Sequence, residues 1–200
     1  STAAAAHLTV VADGNVDIDG IDITLDASGD IALECGGGDL TCDADTVTFS
    51  SANADDPAVI IKNTADDNQA ARLIMWKDRG AAMADNDRVG EIDFFGEDAS
   101  QNLQQYGKIM VQALESDHGT ETGVMKFQVA EYDGTLTEGL MLFGQDADGE
   151  VDVTIGAGAA STTTVAGILT AAGAISSSAL LSGTSLTLAS GNSSFNGSIA

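Results

Sequence analysis

The sequence predicts an elongated, all-β protein, and three observations predict it. Short apolar pairs and triplets alternate with polar residues, which is the period of a strand with one covered face. In the first part of the chain, breaks such as Asp19-Gly20 and Gly37-Gly38-Asp39 return about every 8–10 residues. This is the spacing of short strands joined by tight turns, and it fits a β-solenoid, a meander or a β-prism ladder. Glycine at these breaks and β-branched residues between them disfavour helices.

The distribution of charge divides the chain into three segments. Residues 1–61 carry 12 acidic and no basic side chains, residues 62–152 carry 19 acidic and all 7 basic side chains, and residues 153–200 carry no charge. Such different surfaces are expected to belong to separate structural parts. We therefore predict an acidic repetitive β shaft at 1–56, a β-rich middle domain (knob or spacer) at 57–155, and an uncharged Ala/Ser/Thr/Gly-rich β shaft at 156–200.

Apolar residues recur at similar intervals in the two flanking segments. Strands are predicted in the first segment at Val16/Ile18, Ile21/Ile23/Leu25, Ile31/Leu33, Leu40/Cys42 and Val47/Phe49. Strands are predicted towards the C terminus at Val151/Val153/Ile155, Val165, Ile168/Leu169, Ile175, Leu180/Leu181, Leu186/Leu188, Phe195 and Ile199. Ser/Gly-rich tracts are often flexible linkers, but a linker needs no large aliphatic side chain at regular intervals, so an ordered β ladder is favoured.

The middle segment predicts longer strands with clear turns between them. The strands are expected at Val59/Ile61, Leu73/Met75, Ile92/Phe94, Ile109/Val111, Met125/Phe127/Val129 and Leu140/Leu142. Turn-forming residues occupy Asn63 to Gln69, Gly80 to Asp87, Gly96 to Asn102, Asp117 to Gly123 and Asp133-Gly134. A short helix from Asn68 to Ala71 is the one helical alternative. Most aromatic residues lie in this segment, which is therefore predicted to be the most compact part of the chain.

The composition predicts a thin core. Aromatic residues are 4% of the chain and glycines number 23, so there are few large side chains to fill a globule. An isolated ladder of short strands would expose unpaired backbone and bury little apolar surface. Three copies wound about one axis, as an intertwined β-helix or β-prism, would pair the exposed backbone and bury the exposed apolar side chains. A single-chain β-solenoid is the competing arrangement.

Six motifs of the middle segment occur together with two motifs of the flanks. The six are Pro57-Ala-Val-Ile-Ile-Lys-Asn-Thr64, Leu73-Ile-Met-Trp-Lys-Asp-Arg-Gly80, Asn86-Asp-Arg-Val-Gly-Glu-Ile-Asp-Phe-Phe-Gly96, Tyr106-Gly-Lys-Ile109, Glu121-Thr-Gly-Val-Met-Lys-Phe127 and Gly139-Leu-Met-Leu142. The two are Asp22-Ile-Thr-Leu-Asp-Ala-Ser-Gly-Asp-Ile31 and Ser161-Thr-Thr-Thr-Val-Ala-Gly-Ile-Leu-Thr170. Together they resemble a module, with its shaft repeats, of tail fibre and virion-associated structural proteins of tailed bacterial and archaeal viruses.

The resemblance implies a homotrimeric, non-enzymatic structural protein in the tail fibre of the virion, an extracellular particle. It implies three kinds of partner: further copies of the chain, other virion tail or baseplate proteins, and a host cell-surface receptor. Many such fibres end in a receptor-binding tip or a self-cleaving chaperone. In this sequence the regular spacing of apolar residues continues to Ala200, and neither ending is recognised. The resemblance assigns no catalytic residue, receptor-binding residue or metal ligand to this chain.

Candidate catalytic and metal-binding residues are few. His7 and His118 are the only histidines, and no nucleophile elbow, P-loop or dinucleotide fingerprint is present, so we predict no cofactor and no catalytic residue. None of the aspartate pairs completes an EF-hand loop, so turn capping is favoured there, and calcium stays open only as a surface ion. The pairs are Asp17/Asp19, Asp43/Asp45, Asp85/Asp87 and Asp146/Asp148.

The chain contains two cysteines and one tryptophan. Cys35 and Cys42 lack partners for a zinc site, and two small buried thiols are favoured over one bridge between them. Trp76 is predicted to be a strand residue packed under the middle domain. A chain with one tryptophan does not easily line the sugar groove of a polysaccharide-degrading tail spike, which is the weakest alternative function. The stronger alternative is a calcium-dependent surface adhesin or S-layer-like β-repeat protein.

The net charge of −24 excludes two classes of partner. Nucleic acids and anionic membrane surfaces both require lysine and arginine, and acidic residues outnumber these 31 to 7. No apolar run approaches the roughly 18–20 residues of a membrane helix, and no secretory signal is recognised. Three associated copies would repel one another, and salt at about 1 M screens such repulsion beyond roughly 3 Å. We therefore predict a virus of marine or hypersaline water and a trimer that melts at higher temperature in salt.

Overall fold

The computed structural model describes residues 38–172, together with residues 20, 25, 27, 31–33, 35 and 176. Contacts divide the chain into two units, Ser1–Lys62 and Asn63–Ala200. The strands found in the described residues all belong to the second unit. These residues contain no helix, so the prediction of an all-β protein is confirmed for this part of the chain.

The second unit contains one antiparallel sheet. Its strands are β1 (Arg88–Glu97), β2 (Leu103–Glu115), β3 (Thr122–Ala130), β4 (Leu136–Gly144) and β5 (Val151–Ile155). Each strand pairs with the next one in the sequence, which gives the order β1-β2-β3-β4-β5. Connections of five or six residues join them, so the sheet is a meander.

Short polar side chains close the turns. Asp98 accepts hydrogen bonds from Asn102 Nδ2 (3.0 Å) and from the backbone N–H groups of Asn102 (2.9 Å) and Ser100 (2.7 Å) in the β1–β2 turn. These bonds favour the ionised carboxylate and lower the pKa of Asp98 below its usual 3.8. In the β3–β4 turn, Asp133 accepts a hydrogen bond from the Thr135 N–H, and Gly134 has a φ of 82°, which glycine adopts without strain.

Register and alternation separate the two faces of the sheet. A central row of paired residues crosses all five strands at Ile92, Ile109, Phe127, Leu140 and Ile155. Side chains alternate along a strand except where the register shifts, as it does between Arg88/Gly90, Phe94/Phe95, Ala113/Glu115 and Phe127/Gln128, so the side that carries this row is followed through the paired residues. We call this side the apolar face, and it consists of Gly90, Ile92, Phe94, Gly107, Ile109, Val111, Ala113, Gly123, Met125, Phe127, Val129, Leu140, Leu142, Gly144, Val151, Val153 and Ile155.

The opposite side, which we call the polar face, carries the charges. Its central row consists of Glu91, Met110, Lys126, Met141 and Thr154. Its other members are Asp93, Lys108, Gln112, Val124, Gln128, Glu138, Phe143 and Asp152. The two faces therefore differ in composition, because no residue of the apolar face is charged.

The most buried apolar side chains nevertheless belong to the polar face. Met110 is 6% exposed and Val124 is 1% exposed, and no other described hydrophobic residue is as well covered. Met110 is paired with Glu91 and Lys126, and Val124 is paired with Gln112 and Phe143. Long polar side chains can cover neighbours with their hydrocarbon stems, and Phe143 adds an aromatic neighbour. The polar face therefore combines its charges with a small apolar cluster of Met110, Val124, Met141 and Phe143.

Several predicted strands are absent from the single chain. The prediction is wrong there for Ile31/Leu33, Leu40/Cys42, Val47/Phe49, Val59/Ile61, Leu73/Met75, Val165 and Ile168/Leu169. Alternation reports which side of a segment is apolar, whereas a strand also needs a neighbour for its N–H and C=O groups. The helical alternative at residues 68–71 is wrong as well. The pairs Val16/Ile18 and Ile21/Ile23 and the positions from Ile175 to Ile199 lie outside the described residues.

Candidate interaction surface

The apolar face is partly open to solvent: none of its 17 residues is buried, eight are exposed and nine are half-buried. Phe94 is 52% exposed, Val129 is 60% exposed and Val153 is 54% exposed. Ile92, Met125, Val151 and Ile155 are exposed as well. An antiparallel sheet normally covers one face with a second layer of secondary structure. The described part of the chain supplies no such layer over this face.

Two short segments border the apolar face. A Cβ at Gly90 would lie 2.9 Å from Met75 Sδ, so the missing side chain lets Met75 approach β1 closely. Leu73 and Met75 line a groove of about 390 Å³ together with residues of β1, β2 and β3. At the other end, Ile155 lines a hollow of about 610 Å³ with the segment 156–163. The face is thus bounded at two corners and open between them.

An ion-pair network occupies the β1–β2 side of the polar face. Lys108 Nζ lies 2.6 Å from Glu91 Oε2 and 3.2 Å from Asp93 Oδ1, and Arg88 Nη1 lies 2.9 Å from Glu91 Oε1. The hydrogen bond from Lys108 lowers the pKa of Glu91, and in return the bond to Glu91 raises the pKa of Lys108. Only 14% of the Lys108 side chain is exposed, so this network joins two strands in a partly covered setting.

A second cluster holds the chain at the start of β1. Asp87 Oδ2 accepts a hydrogen bond from the Ala84 N–H at 2.9 Å and lies 2.6 Å from Arg79 Nη1, while Lys77 Nζ is 3.7 Å from Asp87 Oδ1. The bond from Ala84 and then the two cations lower the pKa of Asp87. Asp87 therefore ties residues 77–84 to the first strand.

The aspartate pairs at which the sequence allowed a surface calcium ion lie in different surroundings. Asp85 accepts hydrogen bonds from the N–H (3.0 Å) and Oγ (2.9 Å) of Ser116, and Asp87 is engaged with cations. Asp146 and Asp148 line a hollow at one end of the sheet. Asp43 and Asp45 lie in the first unit, and Asp17/Asp19 lies outside the described residues. Within the described residues, no group of three or more His, Cys, Asp or Glu side chains is placed to hold a metal ion.

The histidine and the cysteines of the described residues are exposed. His118 Nδ1 lies 3.3 Å from Glu121 Oε1 in the β2–β3 turn, and its side chain is fully exposed. His7 lies outside the described residues. Cys35 and Cys42 are both exposed and both free, so the expectation of buried thiols is wrong for the single chain, as is the alternative of a bridge between them.

Two aromatic side chains project into solvent. Trp76 is 83% exposed and lies outside the strands, so the prediction of a strand residue packed under the middle domain is wrong. Tyr132 is fully exposed in the β3–β4 turn. Trp76 follows Met75, whose side chain lies against Gly90.

Sequence reasoning missed the surface and the network that the sheet brings together. Alternation at Ile109/Val111 and Met125/Phe127 was visible in the sequence, but nothing in it showed that these side chains share one face with β4 and β5. The sequence contained a weak indication of the Lys108 ion-pair network. Glu91 and Asp93 are two residues apart in one predicted strand, a spacing that suits one lysine on the neighbouring strand.

No helix of the described residues has the length and apolar character needed to cross a membrane. No protein-family model, curated protein or solved structure matches the chain.

Proposed function

We propose that the chain is a structural component of a viral tail fibre, in which three copies form a stiff shaft. The middle domain thickens that shaft as a spacer or as a knob for host adhesion. The mechanism is mechanical, with repeated β layers transmitting force along the fibre and no reaction catalysed.

The observation that carries this proposal is the single-layer sheet. Its five strands present an apolar face for which the described residues supply no second layer. Domains are stable when two or more layers enclose a core. Symmetric association supplies the missing layer from further copies and leaves no copy with an open face.

The position of the fibre-like motifs supports the same function. The motif Asn86 to Gly96 covers most of β1, and Tyr106 to Ile109 lies in β2. Glu121 to Phe127 begins β3, and Gly139 to Leu142 lies in β4. Four of the six middle-segment motifs therefore coincide with consecutive strands of one sheet, whereas Pro57 to Thr64 and Leu73 to Gly80 contain no strand.

Light scattering and electron microscopy of the purified 200-residue chain test the proposal. We expect a mass three times the 20.2 kDa of one chain, and a rod with threefold symmetry. A monomer that folds only when calcium is added would overturn the fibre and favour a calcium-dependent adhesin. New reducing ends after incubation with host capsular polysaccharide would overturn the non-enzymatic mechanism.

A further inference from the structure

We propose that residues 73–79, which we call the strap, are a releasable cover over the β1–β3 corner of the apolar face, and that Asp87 is the latch that holds the strap down. The strap and the sheet belong to the same unit, Asn63–Ala200. This device controls access to the apolar face, and only its effect on assembly rests on the proposed function.

The strap lies against the sheet through side chains alone. Met75 approaches Gly90 so closely that a Cβ there would lie 2.9 Å from Met75 Sδ. Leu73 and Met75 line the groove of about 390 Å³, which Ile92 and Val111 of the apolar face also line. The strap contains no strand, and none of its backbone groups is hydrogen-bonded to the backbone of the described residues. It therefore covers the corner without being part of the β ladder.

The end of the strap is held at one carboxylate. Arg79 Nη1 lies 2.6 Å from Asp87 Oδ2, and Lys77 Nζ lies 3.7 Å from Asp87 Oδ1. The same Oδ2 accepts a hydrogen bond from the Ala84 N–H at 2.9 Å, which fixes the carboxylate just before β1. Both cations of the strap therefore converge on a single group, and the loss of that charge releases both at once.

The other contacts of the strap are weak. Leu73 is 68% exposed and Trp76 is 83% exposed, so these side chains lose little when the strap leaves the sheet. The side chains of Lys77 and Arg79 are each 37% exposed, and ion pairs open to water are individually weak. Gly80 follows the strap with a φ of 64° and open space where a side chain would be, so it can serve as the hinge. We therefore expect an open strap to be populated as a minor conformer.

Opening changes the surface that the sheet presents. When Leu73 and Met75 leave, the groove residues Ile92, Val111 and Met125 become accessible together. In the proposed fibre, contacts at this corner then form only with the fraction of chains whose strap is open. That fraction lowers the apparent affinity in proportion. The strap is thus an autoinhibitory contact that delays association through the apolar face.

Two variants release the strap, one at each attachment. Asp87→Asn keeps the shape of the side chain and removes its charge, whereas Gly90→Ala pushes Met75 away from β1. Asp85→Asn is the matched control, because Asp85 is two residues away and accepts hydrogen bonds from Ser116. Circular dichroism checks that all three variants keep their strands.

Trp76 reports on the strap without a label, because it is the only tryptophan of the chain. Time-resolved fluorescence anisotropy measures how freely its indole moves, in a single chain and in an assembly alike. We expect the amplitude of its nanosecond motion to at least double in Asp87→Asn and in Gly90→Ala. The amplitude should stay at the wild-type level in Asp85→Asn.

A thiol in the groove gives a second readout. Val111→Cys lines the groove, and Val153→Cys lies on the same face outside it. Each is made in a chain that also carries Cys35→Ser and Cys42→Ser, diluted until light scattering gives the mass of one copy. A maleimide should react at position 111 about tenfold faster once Asp87→Asn is added, and at position 153 at an unchanged rate.

The outcomes separate the strap from the fibre itself. Anisotropy in Asp87→Asn that matches the wild type, or that changes equally in Asp85→Asn, would overturn the latch. We expect association during refolding, followed by stopped-flow light scattering, to be faster in Asp87→Asn than in Asp85→Asn. A freed strap with an unchanged association rate would support the cover and overturn its control of assembly. Chains that never associate although Asp87→Asn frees the strap would overturn the proposed fibre and leave the strap standing.

Discussion

Val124 and Met125 are consecutive residues of β3 that lie on opposite faces of the sheet, and the valine is 1% exposed whereas the methionine is 38% exposed. Within one chain the two most buried apolar side chains therefore lie on the polar face, while no residue of the apolar face is buried. Substitutions on the two faces should therefore respond to different variables.

Truncating valines on the two faces separates burial within a chain from burial between copies. Val124→Ala removes two buried methyl groups and should lower the free energy of unfolding by about 2 kcal/mol at every protein concentration. Val129→Ala makes the same change on the apolar face of the same strand, where 60% of the residue is exposed. Its effect should grow with protein concentration, because it removes contacts between copies. Urea denaturation at several protein concentrations measures both, and equal, concentration-independent effects would contradict this division.

The lysine network should contribute to the pairing of β1 and β2. Lys108→Met leaves Glu91 and Asp93 without their shared cation, and we expect a loss of about 1 kcal/mol in the free energy of unfolding. Lys126→Met is the matched control, since Lys126 lies on the same face and forms no ion pair with the described residues. Chemical denaturation of both variants provides the comparison. Equal losses would mean that the ion pairs of Lys108 contribute nothing beyond the loss of a lysine charge.

Acid should destabilise the sheet through Glu91. The pKa of this carboxyl is lowered from 4.5, chiefly by Lys108, so its ionised form is stabilised in the folded chain. That stabilisation is present above pH 4.5 and is lost as the pH falls through the lower folded value. Thermal melting between pH 6 and pH 2, on the order of four pH units, should show a fall that Glu91→Gln makes shallower. An unchanged slope in that variant would remove Glu91 from the explanation.

Alkali should act on the same pair through its other member. The pKa of Lys108 is raised from 10.5 by Glu91, so the stability it contributes is present below pH 10.5 and is lost as the pH rises through the higher folded value. Melting temperatures recorded up to about pH 12 should therefore fall less in Lys108→Met than in the wild type. The Lys126→Met chain should follow the wild type, and a wild-type slope in Lys108→Met would contradict the assignment.

Salt should raise the melting temperature of the assembled protein. The net charge of −24 on every copy opposes association, and about 1 M potassium chloride reduces the Debye length to roughly 3 Å. Calorimetry between about 0.01 and 1 M salt should show a rising melting temperature. The slope should be smaller in a chain with Asp43→Asn and Asp45→Asn, which carries two fewer charges. A melting temperature that does not change with salt would mean that the charge affects solubility only, and it would contradict the inference of a saline habitat.

Gly90 should be replaceable only together with Met75. A Cβ at position 90 would lie 2.9 Å from Met75 Sδ and 3.0 Å from Met75 Cβ, so Gly90→Ala has to push the segment 73–75 away from β1. We expect a loss of about 1–3 kcal/mol, as for other overpacked sites. Combining Gly90→Ala with Met75→Ala should recover part of that loss in a double-mutant cycle. Strict additivity of the two changes would show that this close approach has no energetic role.

The alternation of apolar and polar residues predicted part of the fold. This alternation located the strands around Ile92, Ile109, Phe127 and Leu140, because each is long and bounded by turn residues. The same alternation at Leu73/Met75 produced no strand, because a period of two records a face and says nothing of a hydrogen-bonding neighbour.

The candidate surface was less predictable than the strands that form it. It depends on a register that includes shifts between Phe94/Phe95 and between Phe127/Gln128. One residue of slip would move a whole strand to the other face, and turn lengths alone do not specify such shifts. The burial of Val124 was hidden for another reason, because its paired neighbours, Gln112 and Phe143, are known only once the register is known.

The meander has a consequence for the order in which a fibre is made. Every strand pairs only with its neighbours in sequence, across connections of five or six residues, so no long loop has to close before the sheet can form. Contacts of such short range are associated with fast folding, and a hairpin forms in about 1–10 μs. The sheet can therefore be complete on a nascent chain before a second copy arrives. In the proposed fibre, assembly would then join preformed sheets in a step whose rate depends on protein concentration.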